Sequence, residues 1–237
     1  MKDLFDIEGG VASSEQLLLD LPNVSMGGRD DVIVGEANRV AVAHLDAWPD
    51  WPQPLSVLTG PSGSGKTHLA RCWAARAGAV TFDARMLDEI EMGEDMGDDP
   101  FLIEDADRGG LSERSLFHIL NAARAHGLTG LITTRFRPGV WNVSLPDLNS
   151  RLKAANQIEL HVPDDAVVSG VALKLFAERQ VAIEPEVLDY LVSRSGRSLK
   201  HVQSLVRRLD YLSLTRRRPV TKALVSEALR MEAQSIG

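Results

Sequence analysis

The run Gly60-Pro61-Ser62-Gly63-Ser64-Gly65-Lys66-Thr67 holds the residue types needed to cradle a polyphosphate. It fits the pattern G-x-x-x-x-G-K-[ST] at every fixed position. Glycines let backbone N–H groups turn inward around phosphate oxygens, and a following helix adds the positive end of its dipole. Lys66 brings a point charge to the outer phosphates, and the Thr67 hydroxyl is a ligand for Mg²⁺. Further along, the apolar Phe101-Leu102-Ile103 delivers Glu104 and Asp105. One carboxylate can hold the metal shell and the other can orient an attacking water; alternatively both are turn residues. Asp107 and Arg108 follow directly. A third apolar run, Gly130–Thr134, ends in Thr133-Thr134-Arg135 and can place a hydroxyl near a γ-phosphate.

These groups need a sheet to bring them together. Leu55–Thr59, Ala79–Phe82, Phe101–Glu104, Gly130–Thr134 and Gln157–Leu160 read as short buried strands. Helices expected at Lys66–Ala77, Leu111–Ala125 and Leu145–Ala154 alternate with them, which implies βαβ units and a parallel five-stranded sheet. After Val162-Pro163 the strands stop. Asp164–Glu178, Pro185–Ser195, Ser198–Leu214 and Thr221–Gln234 read as consecutive helices, and Pro163 before two aspartates is a helix start. The fold class expected is therefore α/β: a P-loop core at residues 31–162, then a small all-α domain at 163–237. Residues 1–30, rich in Gly, Ser and Asp, read as a mobile arm. The acidic segment Asp88–Asp99 reads as a solvated connection.

Composition narrows the function classes. Net charge is −7, which argues against wholesale binding to nucleic-acid phosphates. The charge is uneven: from Arg197 onward nine Lys/Arg stand against three Asp/Glu. Arg216-Arg217-Arg218 reads first as a solvated helix end and second as a surface for DNA or an acidic partner. No apolar run reaches the roughly 18 residues of a membrane span, and the N-terminus lacks a secretory pattern, so a cytoplasmic protein is expected. The lone Cys72, beside Trp73, reads as a buried structural thiol.

Several strings together resemble the DnaA/Hda family of AAA+ replication proteins, and its short Hda branch more than the initiator DnaA. They are Ile33-Val34-Gly35 with Asn38, Gly65-Lys66-Thr67-His68-Leu69, Leu131-Ile132-Thr133-Thr134 with Pro138, and Leu145-Pro146-Asp147-Leu148-Asn149-Ser150-Arg151-Leu152. The last is the most specific. The resemblance covers about residues 30–235 and implies an AAA+ core plus lid, without the initiator's helix-turn-helix domain.

The resemblance implies roles residue by residue. Val34, Gly35 and Asn38 lie near the adenine, and His68 follows the P-loop in the nucleotide-binding set. Thr134 takes the first sensor position. Arg151 is an arginine finger acting on nucleotide in a neighbouring subunit. Lys200 stands at the second-sensor position, where arginine is usual, and lysine makes no bidentate phosphate contact; Arg197 could reach in instead. Glu104-Asp105 replaces two aspartates. Both departures count against independent hydrolysis more than against nucleotide binding, so an activator of DnaA-bound ATP hydrolysis is expected rather than an efficient ATPase.

Gln16-Leu17-Leu18-Leu19-Asp20-Leu21 is similar to the hexapeptide that docks on the replication sliding clamp. An extended peptide puts Leu17, Leu19 and Leu21 on one face, with Gln16 at the groove's rim. Ser13-x-x-Gln16 reads alternatively as a helix capping box. The expected cofactors are ADP or ATP with Mg²⁺. The expected partners are DnaA and the clamp, with DNA contacted only indirectly or weakly, no membrane, and a homodimer possible. The competing readings are a DNA-binding or helicase-loading relative and, last, a small-molecule kinase.

Overall fold

The computed structural model describes residues 28–84, 99–107, 112–141 and 143–234. The clamp-like peptide, Arg108 and most of the acidic Asp88–Asp99 segment lie outside the described residues.

Five parallel strands, β1 (Leu55–Thr59), β2 (Val80–Asp83), β3 (Phe101–Glu104), β4 (Gly130–Thr134) and β5 (Asn156–Glu159), form one sheet in the order β2-β3-β4-β1-β5. β1, β3 and β4 are almost wholly buried, as continuous apolar runs covered on both faces must be. Helix α1 (Arg39–Asp46) and α2 (Lys66–Ala77) pack with Trp51 and Trp73 on one face. Helix α3 (Glu113–His126) and α4 (Pro146–Ala154) cover the other, around Ile103, Leu116, Ile132 and Leu148. A separate apolar cluster is built by the lid helices α5 (Asp165–Glu178), α6 (Pro185–Arg194), α7 (Leu199–Arg216) and α8 (Lys222–Gln234).

The expected elements are present with small shifts that capping explains. Ser112, Asp164 and Ser198 sit just before their helices, and their side-chain oxygens accept N–H bonds from Ser115 (3.2 Å), Val167 (2.8 Å) and His201 (3.3 Å). These are the orphan donors of a first turn. Helix α1 is not anticipated by the sequence reading. Its segment mixes β-branched and small residues, and it is held as a helix by burying Ala41, Val42 and Leu45, so tertiary packing overrides weak propensity. Among the described residues no helix is long and apolar enough to cross a membrane. Cys72 is buried, its thiol pushed up in pKa first by that burial.

The close approach of β3 and β4 depends on one glycine. The ring of Phe101, 1% exposed, lies where a Cβ on Gly130 would stand. Gly130→Ala is therefore expected to destabilise the fold by about 1–3 kcal/mol through overpacking. In urea this appears as a lower midpoint with an unchanged slope; an unaltered midpoint would show that the ring moves aside without cost.

Candidate nucleotide site

The turn from β1 into α2 is the expected P-loop. Gly63 and Gly65 take φ of 79° and 100°, a left-handed backbone open to glycine at little cost. A Cβ on Gly60 would stand 2.5 Å from the Leu160 carbonyl. Lys66 is 6% exposed, and its ammonium donates to the carbonyls of Gly60 (2.7 Å) and Pro61 (2.9 Å). The buried cation is thus compensated by the loop itself. The Ser64 hydroxyl is buried with no hydrogen-bond partner. Thr67 and His68 open α2 on its exposed side, and Pro61 and Ser62 are exposed at the loop's tip.

The carboxylates arrive at the same edge of the sheet. Glu104 closes β3, and its Oε2 accepts from Arg71 Nε (3.2 Å) and Nη2 (2.8 Å) on α2. Its Oε1 is buried without a partner. Asp105 turns the chain at φ 56°, and its N–H donates to the Thr133 hydroxyl (3.0 Å). The Thr134 hydroxyl, fully buried, donates to the Phe136 carbonyl. Arg135 is engaged by Asp107, whose Oδ2 also accepts the Arg135 and Phe136 N–H groups (2.9 and 3.2 Å). Among the described residues no cluster of three or more His, Cys, Asp or Glu side chains can hold a metal. A cation here must instead be shared with a ligand, as Mg²⁺ usually is. The hydroxyl of Thr67 and the orphaned Oε1 of Glu104 are oxygen donors suited to it.

The lid reaches this loop directly. The Leu199 N–H donates to the Gly63 carbonyl (2.8 Å), and the Ser198 side chain lies where a Gly63 Cβ would stand. The Ile33–Asn38 turn joins the lid from the other side. Asn38 accepts from the Gly35 N–H (2.8 Å) and donates to the Ile33 carbonyl (2.8 Å), so its amide shapes the turn. Val167 and Asp164 lie where a Cβ on Gly35 would stand. Asp164 also accepts from the Ala37 N–H (3.2 Å), and these N–H bonds, Val167's first, hold its carboxyl below the ordinary value. Val34 is 47% exposed beside them. Arg197, at φ 55°, pairs with Asp165 (2.9 Å) on an exposed surface rather than reaching into the loop. Lys200 is exposed, one residue beyond Leu199.

Arg151 sits on α4, away from this cluster. Its guanidinium stacks over the Phe117 ring of α3 at 5.2 Å, and no described ion pair joins it to Asp147. Sequence reasoning missed what orients this helix. The Glu113 carboxylate accepts from the Ser144 N–H (2.9 Å), the Ser144 hydroxyl (2.7 Å) and the Leu145 N–H (3.0 Å). Glu113 and Phe117 are one turn apart on α3, so they grip α4 at two points. Arg71 was also missed, although its place four residues after Thr67 on one helix face was readable. In the basic C-terminal stretch, Arg216 is engaged at both nitrogens by Glu227 (2.6 Å each), as a solvated helix end would be.

Comparison with known proteins agrees with this architecture. Residues 170–229 match the family model described as Hda, lid domain. The chain is 24% identical over 257 residues to the chromosomal replication initiator protein DnaA of Thermomicrobium roseum, covering 94% of this chain and 54% of that protein. It thus spans about half the length of that initiator. Domain III of Thermotoga maritima DnaA superposes with a TM-score of 0.72 at 19% identity, covering 86% of this chain and 95% of that one. AMPPCP-bound DnaA from Aquifex aeolicus superposes at 0.67 and 19% identity, covering 87% and 69%. At those identities the structures establish the fold.

The Glu113 grip has a pH signature. Hydrogen bonds from Ser144 and Leu145 lower its pKa from 4.5. Its contribution is therefore complete above the unfolded value and is lost as pH falls through the lower folded value. Glu113→Gln should flatten the acid limb of a stability profile below about pH 4.5. Superimposable acid limbs for the two proteins would remove Glu113 as the tether of α4.

Proposed function

This chain is a DnaA/Hda-family AAA+ protein, and we propose that it switches off the replication initiator by stimulating hydrolysis of the ATP bound to DnaA. Its own P-loop takes an adenine nucleotide, ADP or ATP, between Lys66, the Val34–Asn38 turn and the lid residues Ser198–Lys200. The nucleotide analogue bound by the Aquifex aeolicus DnaA structure supports the adenine class. Thr67 and Glu104 would hold a Mg²⁺ ion shared with the phosphates, and the ion would supply charge neutralisation there. Arg151 acts in trans.

One observation carries the reading. Arg151 is presented by a helix clamped at Glu113, and its guanidinium lies on an aromatic face instead of against a carboxylate of its own helix. A planar fork held this way is ready for a phosphate of another chain. A finger of this kind stabilises charge developing on the γ-phosphate and is worth on the order of 10³–10⁵ in rate. The Gln16–Leu21 peptide, docked on the sliding clamp, concentrates the protein where replication is under way; by linking two contacts it adds avidity without a new interface.

The decisive experiment follows the nucleotide on DnaA–ATP, with clamp loaded on DNA, with and without this protein. Arg151→Ala should keep ADP affinity and fold yet lose most of the stimulation, and Arg151→Lys should rescue little because an ammonium lacks the guanidinium geometry. Stimulation within about threefold of wild type in both variants, far short of a lost finger, would refute the assignment. Replacing Leu19 and Leu21 by alanine should abolish co-elution with the clamp and leave the melting temperature unchanged. Unaltered clamp binding would overturn the docking peptide, and a large fall in melting temperature would place these leucines in the core.

A further inference from the structure

The basic C-terminal stretch holds cations of two kinds. Some are engaged inside the protein: Arg216 by Glu227 (2.6 Å), Lys222 by Glu186 (3.2 Å), Arg197 by Asp165 (2.9 Å) and Arg194 over the Tyr190 ring (5.1 Å). Arg207, Arg217 and Arg218 are exposed, and among the described residues no carboxylate pairs with any of them. Arg207 lies on the outer side of α7 with Gln203, Tyr211 and Leu214, and the spacing of these four puts them on one helix face. The opposite face, Val202, Leu205, Val206, Leu209 and Leu212, is buried in the lid. Tyr211 is 54% and Leu214 58% exposed. The acid nearest this stripe, Asp210, pairs instead with Arg179 (3.8 Å). Arg217 and Arg218 stand at the C-terminal end, so the band runs for about 20 Å. The helix dipole accounts for cations at that end, but not for Arg207 or for the exposed Tyr211 and Leu214 in mid-helix.

We infer that the outer face of α7 is a docking surface for duplex DNA, held through its phosphates without regard to sequence. The arginines and the tyrosine hydroxyl donate to phosphate oxygens, and Leu214 packs against the sugars between them. Two apolar side chains are too few for the apolar core of a stable protein interface. One aromatic cannot stack the successive bases by which single strands are held. The net charge of −7 does not oppose the contact, because at physiological salt a phosphate responds to charges within about 8 Å. Two or three phosphate contacts give weak binding, with Kd roughly 10⁻⁴–10⁻⁶ M. On the proposed function a clamp-docked protein is tethered beside duplex DNA, and a tether raises the effective concentration to about mM, enough to fill so weak a site. A lid fixed to the duplex then limits how the core turns about its tether.

The test uses the full chain without clamp or nucleotide, so it is independent of the P-loop and Arg151 assignments. Fluorescence anisotropy follows a labelled duplex of about 20 bp, two helical turns, from about 50 to 200 mM salt. Wild type should bind with a log–log salt slope of about −2 to −3, near −0.9 for each phosphate contacted. The double variant Arg207→Gln/Arg218→Gln should lose about tenfold or more at the lowest salt, with a slope shallower by about 2. Arg207→Lys/Arg218→Lys should keep most of the affinity, because a lysine still meets a phosphate as a point charge. The control Arg114→Gln/Arg124→Gln removes the same charge from exposed positions on α3 and should bind as wild type does. Melting temperatures should not differ, since all four arginines are exposed. Equal loss in the α3 control would assign binding to overall charge and overturn the inference. So would a stripe variant that binds like wild type, a preference for single strands, or retention on polyglutamate without binding to duplex.

Discussion

A buried ammonium organises this molecule. Lys66 lies inside a turn of glycines, and its ammonium donates to the carbonyls of Gly60 and Pro61. Carbonyl dipoles help satisfy the desolvated cation, and they fix the ammonium at the mouth of the loop. That arrangement exists only if β1 ends and α2 begins within a few residues. This in turn requires backbone at positive φ at Gly63 and Gly65 and the absence of a side chain at Gly60, where the Leu160 carbonyl approaches. The sheet order places β1 between β4 and β5, so the ends of three strands converge on that charge. Ligands of open α/β sheets bind at such strand ends.

Around this centre the chain spends its other charges in pairs that leave function to a few groups. Glu104 is shared with Arg71, Asp107 with Arg135 and Asp165 with Arg197. The exposed Arg197–Asp165 pair contributes little to stability, whereas Glu104 and Asp107 are largely buried; each pair fixes where a side chain points. Arg151 is held differently, over Phe117, and a guanidinium on an aromatic face keeps its donors available.

The lid is a second apolar body that meets the core at the P-loop and along the Asp31–Asn38 segment. Leu199 bonds to Gly63, Asp164 bonds to Ala37, and Val167 packs on Gly35. Short junctions between two separately packed cores allow relative motion more readily than a broad apolar interface does. A ligand touching the loop and the Ile33–Asn38 turn would therefore bear on the lid's position as well as on the core.

The sequence alone determined the features whose physics is local. A glycine-rich turn before a lysine, apolar runs of strand length and capping residues such as Ser112, Asp164 and Ser198 each act within a few residues, so the P-loop, all five strands and seven of the helices were legible. The sheet's parallel sense followed from the alternation of strands and helices. Tertiary structure decided what depends on distant partners. Helix α1 forms because its Ala41, Val42 and Leu45 find the Trp51–Trp73 layer, which its own composition does not announce. Asn38, expected beside the base, spends both ends of its amide on the backbone of its own turn. The reach of Arg71 to Glu104 spans 33 residues of sequence and that of Glu113 to Ser144 spans 31. Spacing along the chain carries no signal at that range, because only the packing of α2 on β3 and of α3 on α4 brings those charges within hydrogen-bond distance.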